Sequence, residues 1–324
     1  AQTRANGNEP TIQEIGNGAL INDLVYAVYR TDAETLEAAL ENWDLNKKIY
    51  QVNPDKIIAF SGGVTNVQIE LMNDQNYVIL FWAQHSDAWI KGSDFTLTNI
   101  TYPENLNAND VNLAAFSGVS FIANVDGASN ETVTLTRPFA QINIGTLQPE
   151  KFKVQFDRSN LKVIGASTSF NVATQNASSI VTTVEAPLVF KENNVPGTNE
   201  KIDVNGTYYD YVAMNYIFAK AKNSVEVVFD IATKYHGTVN TTIPNVPVAK
   251  NYKTNIVGNL LTSDVTYRVE LIDSWLTPDK VVIVGDATGL QSAIDNAQEG
   301  ETTEIKLGGD INLSDLFNIL TRAN

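Results

Sequence analysis

The sequence predicts an all-β protein: two tandem antiparallel β-sandwiches with a short C-terminal α/β segment resembling the start of a parallel β-helix. Three observations carry this. Short apolar or alternating stretches recur along most of the chain, separated by Asn, Gly, Pro and Ser. The 324 residues include 13 Phe and 12 Tyr among many Val, Ile and Thr, the types that fill pleated, half-buried surfaces. A chain of this length also holds about two domains by size alone. The divisions are placed at residues 1–145, 146–276 and 277–324.

Residues 1–19 are polar and rich in Gly and Asn, a lead-in to the fold. LVYAVY at 24–29 reads as a buried strand. Thr31 and Glu34 have capping-box spacing, and Leu36, Leu40 and Trp43 follow at i, i+4 and i+7, which predicts a short amphipathic helix. Val67, Ile69 and Leu71 alternate with polar neighbours ahead of an Asn73-Asp74 turn. YVILFW at 77–82 is apolar throughout, as a central strand covered on both faces would be. Residues 92–113 are polar and turn-rich, and strands are expected at 119–125 and 132–135 around a Gly127 turn.

Residues 132–146, TVTLTRPFAQINIGT, form two alternating segments pivoting on Arg137-Pro138. Val133 and Leu135 share one side of the first, and Ile142 and Ile144 one side of the second. The stretch reads as the hinge between the sandwiches, with Arg137 a surface charge and Phe139 core. Beyond it, Phe152, Val154 and Phe156 alternate, as do Leu161 and Val163, and short strands are expected at 169–173 and 180–184. Residues 191–207 read as a long polar loop. An aromatic strand follows at 208–218, the cleanest period-2 pattern at Val225, Val227, Phe229 and Ile231, and closing strands at 246–256 and 265–271.

After Thr277-Pro278 the pattern changes. A strand at 281–284 precedes a helix at 287–298, capped by Thr288, with Leu290, Ile294 and Ala297 as its stripe and Gly300 as its stop. EIKLGGD and INLSDL then read as two short strands. A single rung cannot bury its own face. Either this segment opens a β-helix that continues further, the preferred reading, or it packs on the second sandwich.

Composition excludes several functions. A formal charge of −15 leaves nothing to neutralise a phosphate backbone, so nucleic acid is not an expected partner. Without cysteine there are no disulfides, thiolate chemistry or cysteine metal sites. No apolar run reaches the roughly 20 residues that span a bilayer. AQTRANGNEP holds no signal-peptide core, which leaves a cytoplasmic protein or one whose targeting segment has been removed. Of the two histidines, His85 in WAQHSD reads as a surface residue at a strand end and His236 in KYHGT as a hairpin-turn residue. No Gly-x-Ser-x-Gly elbow, HExxH pair or Walker loop is present. No catalytic residue, metal or cofactor is therefore expected. Paired carboxylates for glycoside chemistry come from distant positions, and 37 acidic residues single out no pair. Trp89 is a candidate for stacking on a sugar, against the commoner role of core or rim.

Three segments carry a family resemblance: LVYAVYR at 24–30, YVILFWAQ at 77–84 and LTRPFAQINIGT at 135–146. In this order they resemble the Bacteroidales fimbrillin family, subunits of type V pili, and VIGASTSFNVAT at 163–174 fits the same pattern. The resemblance spans roughly residues 3–276 and does not reach 279–324. It implies transthyretin-like sandwiches, export as an outer-membrane lipoprotein, and membrane contact only through an upstream lipid anchor that is later removed. It also implies trimming by an arginine-specific protease, with Arg4 in Thr3-Arg4-Ala5 as the candidate site.

Removing a first strand would open a hydrophobic groove edged by unpaired backbone groups. A strand from a neighbouring subunit would fill it, and head-to-tail repetition builds a filament. Val25, Val28, Leu80 and Trp82 are candidate groove walls, with ordinary core as the alternative. The implied partners are other pilus subunits, through strand exchange, and a host or bacterial surface receptor. The departure after Trp275 points to a tip or accessory subunit rather than a shaft subunit. The expected function is structural and adhesive, without enzyme activity. The alternatives are a carbohydrate-binding surface lipoprotein and the N-terminal part of a β-helix adhesin or enzyme.

Overall fold

The computed structural model describes residues 20–43, 47–52, 67–86, 88–91, 95–127, 132–147, 156–196, 201–233, 237–261, 266–272, 280–284 and 303–307. In chain order the first strands are β1 (Asp23–Thr31), β2 (Lys47–Val52), β3 (Asn76–Gln84), β4 (Ile100–Thr101), β5 (Ala115–Ile122) and β6 (Phe139–Thr146). Next come β7 (Phe156–Ile164), β8 (Ser169–Asn171), β9 (Asn176–Ala177), β10 (Leu188–Asn194), β11 (Lys201–Val204) and β12 (Thr207–Phe218). The last are β13 (Asn223–Thr233), β14 (Gly237–Val248), β15 (Lys253–Asn259), β16 (Thr266–Ile272), β17 (Lys280–Val284) and β18 (Thr303–Leu307). One short helix, α1 (Leu36–Glu41), lies between β1 and β2, and a 3₁₀ turn, Val111–Leu113, precedes β5. The protein is all-β, arranged in several sheets.

The first sheet has the order β2-β1-β3-β5, all antiparallel. Val25 faces Trp82 and Ala27 faces Leu80 across the β1–β3 ladder, while Tyr26 faces Phe81 and Val28 faces Ile79. Side chains alternate faces along a strand, so these pairs line opposite faces, and both are buried. That is why neither strand alternates in sequence.

A second four-stranded sheet runs β10-β7-β13-β14. Val225, Val227, Phe229 and Ile231 of β13 are buried and their neighbours are partly exposed, so one face meets a core. It packs against the largest sheet, β11-β12-β6-β15-β16-β17-β18. Two polar ties mark the contact: Ser159 Oγ donates to Val212 O at 2.7 Å and Thr254 Oγ1 to Pro247 O at 2.7 Å. β6 lies between β12, antiparallel, and β15, parallel, and is buried along its whole length. Small strands β4-β8-β9 tie Ile100 to Phe170.

Several local expectations change. α1 is capped by Thr35, whose hydroxyl accepts from Ala38 N at 3.2 Å, whereas Thr31 accepts from Ala33 N at 3.1 Å. The helix therefore starts one turn later than the Thr31–Glu34 spacing suggested. Val67, Ile69 and Leu71 do alternate in burial, but their segment joins no ladder. Residues 132–135 are not a strand either: the segment passes over Gly118, where a Cβ would lie 2.5 Å from Leu135 Cδ2. Only Thr136 bridges to Ser117 of β5.

Residues 191–207 are not one loop. They contain the end of β10 and a hairpin, β11–β12, turning at Asn205 (φ 52°) and Gly206 (φ 79°). Both positive φ values suit the tight hairpin turn that Asn-Gly favours. Finally, β17 pairs antiparallel with β16 and β18 runs parallel beside β17. These strands extend the large sheet. β16 offers an edge, and the apolar KVVIV can pair with it at once. The helix expected at 287–298 and the INLSDL strand fall outside the described residues.

Candidate functional site

The four candidate groove walls lie within the core of the first sheet. Val25, Val28, Leu80 and Trp82 are all completely buried. Alternation also separates them: Val25, Leu80 and Trp82 share one face of the first sheet, and Val28 lies on the other. The place beside β1 opposite β3 is taken by the chain's own β2. Arg4 lies outside the described residues, as does His236. His85 does sit at the end of β3, where its Nδ1–H donates to Leu20 O at 2.7 Å.

The face bearing Trp82 meets an aromatic junction. Trp82 lies edge-on to Trp89 (centroids 5.9 Å apart) and to Phe139 at the start of β6 (6.3 Å). Trp89 stacks on Phe139 at 4.9 Å and Phe139 on Phe218 at 5.2 Å, with Tyr102 4.7 Å from Phe218. Trp89 is 9% exposed and its indole N–H donates to Leu113 O at 3.0 Å. It is therefore not an exposed platform for a sugar: a large ring beside a continuous apolar strand is drawn inward.

Buried polar side chains anchor the loops around this junction. Gln84 takes the Trp82 indole N–H and the Ile90 amide on its Oε1 and donates to Ile90 O, at 3.1, 2.9 and 2.9 Å. This gives the Gln of the YVILFWAQ segment a structural role. Arg137 is buried, not a surface charge, and stands over the Phe116 ring at 4.4 Å. Such a cation–π contact offsets part of its desolvation. Burial pushes the Tyr102 phenol well above its ordinary range, the Phe218 amide pulling it partly back. Tyr216 is raised for the same reason, with Arg137 lowering it and Asp110 raising it further.

A second tie joins the two halves of the chain. Asn109 accepts from Met214 N at 2.9 Å and donates to Ser159 Oγ and Asn194 O at 3.0 and 2.9 Å, while its own amide donates to Asn215 Oδ1 at 3.2 Å. Beside it Asn107 forms a parallel bridge to Lys191, with Ala108 N donating to Lys191 O and Lys191 N to Leu106 O, both at 2.8 Å. Nothing in the local sequence marks this Asn. Its φ of 62°, a conformation that Asn tolerates better than most residues, is the only hint.

Among the described residues, some sheet edges are covered and others have no strand neighbour. The outer edge of β5 is bridged at Ser117 by Thr136, that of β10 at Lys191 by Asn107, and that of β16 by β17. β2 and β14 are outermost in the four-stranded sheets, and β11 and β18 in the large one. β14 carries Pro244 and Pro247, which have no N–H to offer, and β11 is only four residues long. β2, KKIYQV, contains no proline, and its Ile49 is 47% exposed. Among the described residues there is no group of three or more potential metal ligands and no helix long and apolar enough to cross a membrane.

The model of one family, described as a family of unknown function (DUF6562), matches residues 2–306. No curated protein matches the chain. Among solved structures, the chain is similar to a candidate cell adhesion protein from Bacteroides ovatus, at 11% identity and a TM-score of 0.44, covering 82% of this chain and 92% of that one. It is also similar to a fimbrial assembly protein from Parabacteroides distasonis, at 16% identity and a TM-score of 0.38, covering 78% and 88%. A candidate adhesin from Bacteroides thetaiotaomicron gives 11% identity and a TM-score of 0.43, covering 78% and 89%.

Proposed function

The chain belongs to the family of unknown function DUF6562, and we propose that it is a structural and adhesive subunit at a bacterial cell surface, without a catalytic role. In this reading it is a tip or accessory subunit of a pilus. It is exported as an outer-membrane lipoprotein, trimmed at Arg4, and joined to neighbouring subunits by a donated strand.

One observation carries the reading. The three segments that resemble fimbrillins form β1, β3 and β6 together with the residues flanking β6, and these are the most completely buried strands of two different sheets. The resemblance thus rests on the fold's framework rather than on scattered surface residues. The layered sheets are read as tandem sandwiches; among the described residues β6, at the end of the first division, pairs with strands that follow it. Strand donation is assigned to an outer edge left without a strand neighbour among the described residues, that of β2 or β18, since β14 and β11 are blunted by proline and by shortness.

Immunogold labelling of intact cells tests surface display, and label confined to the cell interior would overturn it. Electron microscopy of the chain after arginine-specific proteolysis tests its position in a pilus. The tip reading expects no rods from this chain alone, and long rods would make it a shaft subunit.

A further inference from the structure

We propose that a pocket beside the aromatic junction is a binding site for a neutral oligosaccharide. Residues 85–86, 88–91, 101–105 and 110–113 border an open pocket of about 640 Å³, within the range of roughly 300–1,000 Å³ typical of small-ligand pockets. The inference gives the adhesive reading a receptor class and rests on that reading only for its biological setting.

The walls are fixed before any ligand arrives. Gln84 holds Ile90 by two hydrogen bonds, Trp89 is tied to Leu113 O, and Ala88 N donates to His85 O at 2.9 Å. On the far side Tyr102 is held by Phe218 N at 2.7 Å, and Asp110 caps Asn112 N at 3.0 Å. Residues ordered in advance lose little entropy on binding, which favours weakly adhesive ligands such as sugars.

Against that rigid frame, three polar side chains of the lining are uncommitted. Lys91, Glu104 and the Asn112 amide have no side-chain hydrogen-bond or ion-pair partner among the described residues. With Nδ1 donating to Leu20 O, a neutral His85 presents Nε2 as an acceptor. The lining therefore offers donors and acceptors together, above the rims of Trp89 and Tyr102. A hydroxyl both donates and accepts, so a polyol satisfies such a mixed set without leaving charge unpaired.

The charge balance selects among ligands. Among the described residues of the lining Lys91 is the one cation, against the two carboxylates of Glu104 and Asp110, on a chain of net charge −15. Sulfated or sialylated glycans would bring further negative charge into that field.

Ligand-observed NMR on the full chain tests this, with neutral gluco-, manno-, galacto- and N-acetylhexosamine oligosaccharides and their sulfated or sialylated counterparts. At least one neutral oligosaccharide is expected to bind. Asn112→Ala and Glu104→Gln should each weaken it by about tenfold or more, with the thermal midpoint unchanged because neither side chain holds a neighbour. Absence of binding by any neutral oligosaccharide at millimolar concentration would overturn the site, as would binding indifferent to both substitutions or stronger binding of the anionic forms. Each of these results leaves the immunogold outcome untouched, so failure of the pocket and failure of surface display are distinguishable.

Discussion

β3 and β13 occupy the same place in their respective sheets, yet their sequences look nothing alike. Each is flanked on both sides by antiparallel neighbours: β1 and β5 in one case, β7 and β14 in the other. β3 reads NYVILFWAQ and is buried from Tyr77 to Gln84, whereas β13 buries only every second residue. Backbone pairing is equivalent, so the difference lies in how many layers cover the sheet. An apolar run marks a strand with protein above and below it, and alternation marks one with water on one side.

The sharpest way to break this comparison is to truncate buried side chains and read stability by denaturant unfolding. Trp82→Ala and Phe229→Ala should each cost about 3–5 kcal/mol, since both side chains are completely buried. The informative step is to the adjacent positions. Ile79→Ala and Leu80→Ala, on opposite faces of β3, should each cost about 2–5 kcal/mol. In β13, Glu226→Gln should stay within about 0.5 kcal/mol. A near-neutral Ile79→Ala would mean that the second face of the first sheet is not covered.

A smaller effect is expected from the polar anchors. Gln84→Ala leaves the Ile90 amide, the Ile90 carbonyl and the Trp82 indole without their partner, and should cost about 2–4 kcal/mol. Asn109→Ala removes the tie between the halves and should cost about 1–3 kcal/mol, with Asn109→Asp partly restoring the Met214 contact. No shift in the denaturation midpoint of either alanine variant would show that water replaces the lost bonds.

The smallest effect is the most diagnostic of burial. Among the described residues the Tyr216 hydroxyl has no hydrogen-bond partner, so Tyr216→Phe should change stability by less than about 1 kcal/mol at neutral pH. The alkaline limb should respond instead. Folding raises the phenol pKa above its unfolded value near 10.0, so its stabilising contribution is complete below about pH 10 and is lost as pH rises toward the folded pKa. The variant should therefore show a shallower loss of stability above pH 10, measured by alkaline unfolding followed by circular dichroism. An unchanged slope would place that phenol in contact with water.

The continuous run at 77–82 and the alternation at 225–231 were legible because periodicity records burial directly. So was Phe139, a large apolar residue at the head of an alternating stretch. Arg137 was not, because its burial depends on Phe116, a residue distant in sequence. The Asn205-Gly206 hairpin had a local signal, but the polar residues around it masked the short strand β11. The burial of Val25, Val28, Leu80 and Trp82 was legible from their apolar runs, but their division between two faces, Val25 and Val28 differing by an odd number, depends on the strand register. The pocket could not be read at all: its lining comes from three loops, and no one of them has a distinctive pattern.

The position of β6 bears on how the chain acquires its fold. Both of its partners, β12 and β15, follow it in the chain, and β7 and β10 are laid down in between to build a different sheet. An eight-residue strand buried along its whole length is thus produced well before either of its strand neighbours. Non-local pairings of this kind close large loops and are slow to form. The refolding rate should accordingly be limited by the arrival of β12 and β15. Until then the apolar RPFAQINIGT segment lacks its strand neighbours and is an aggregation hazard in the nascent chain.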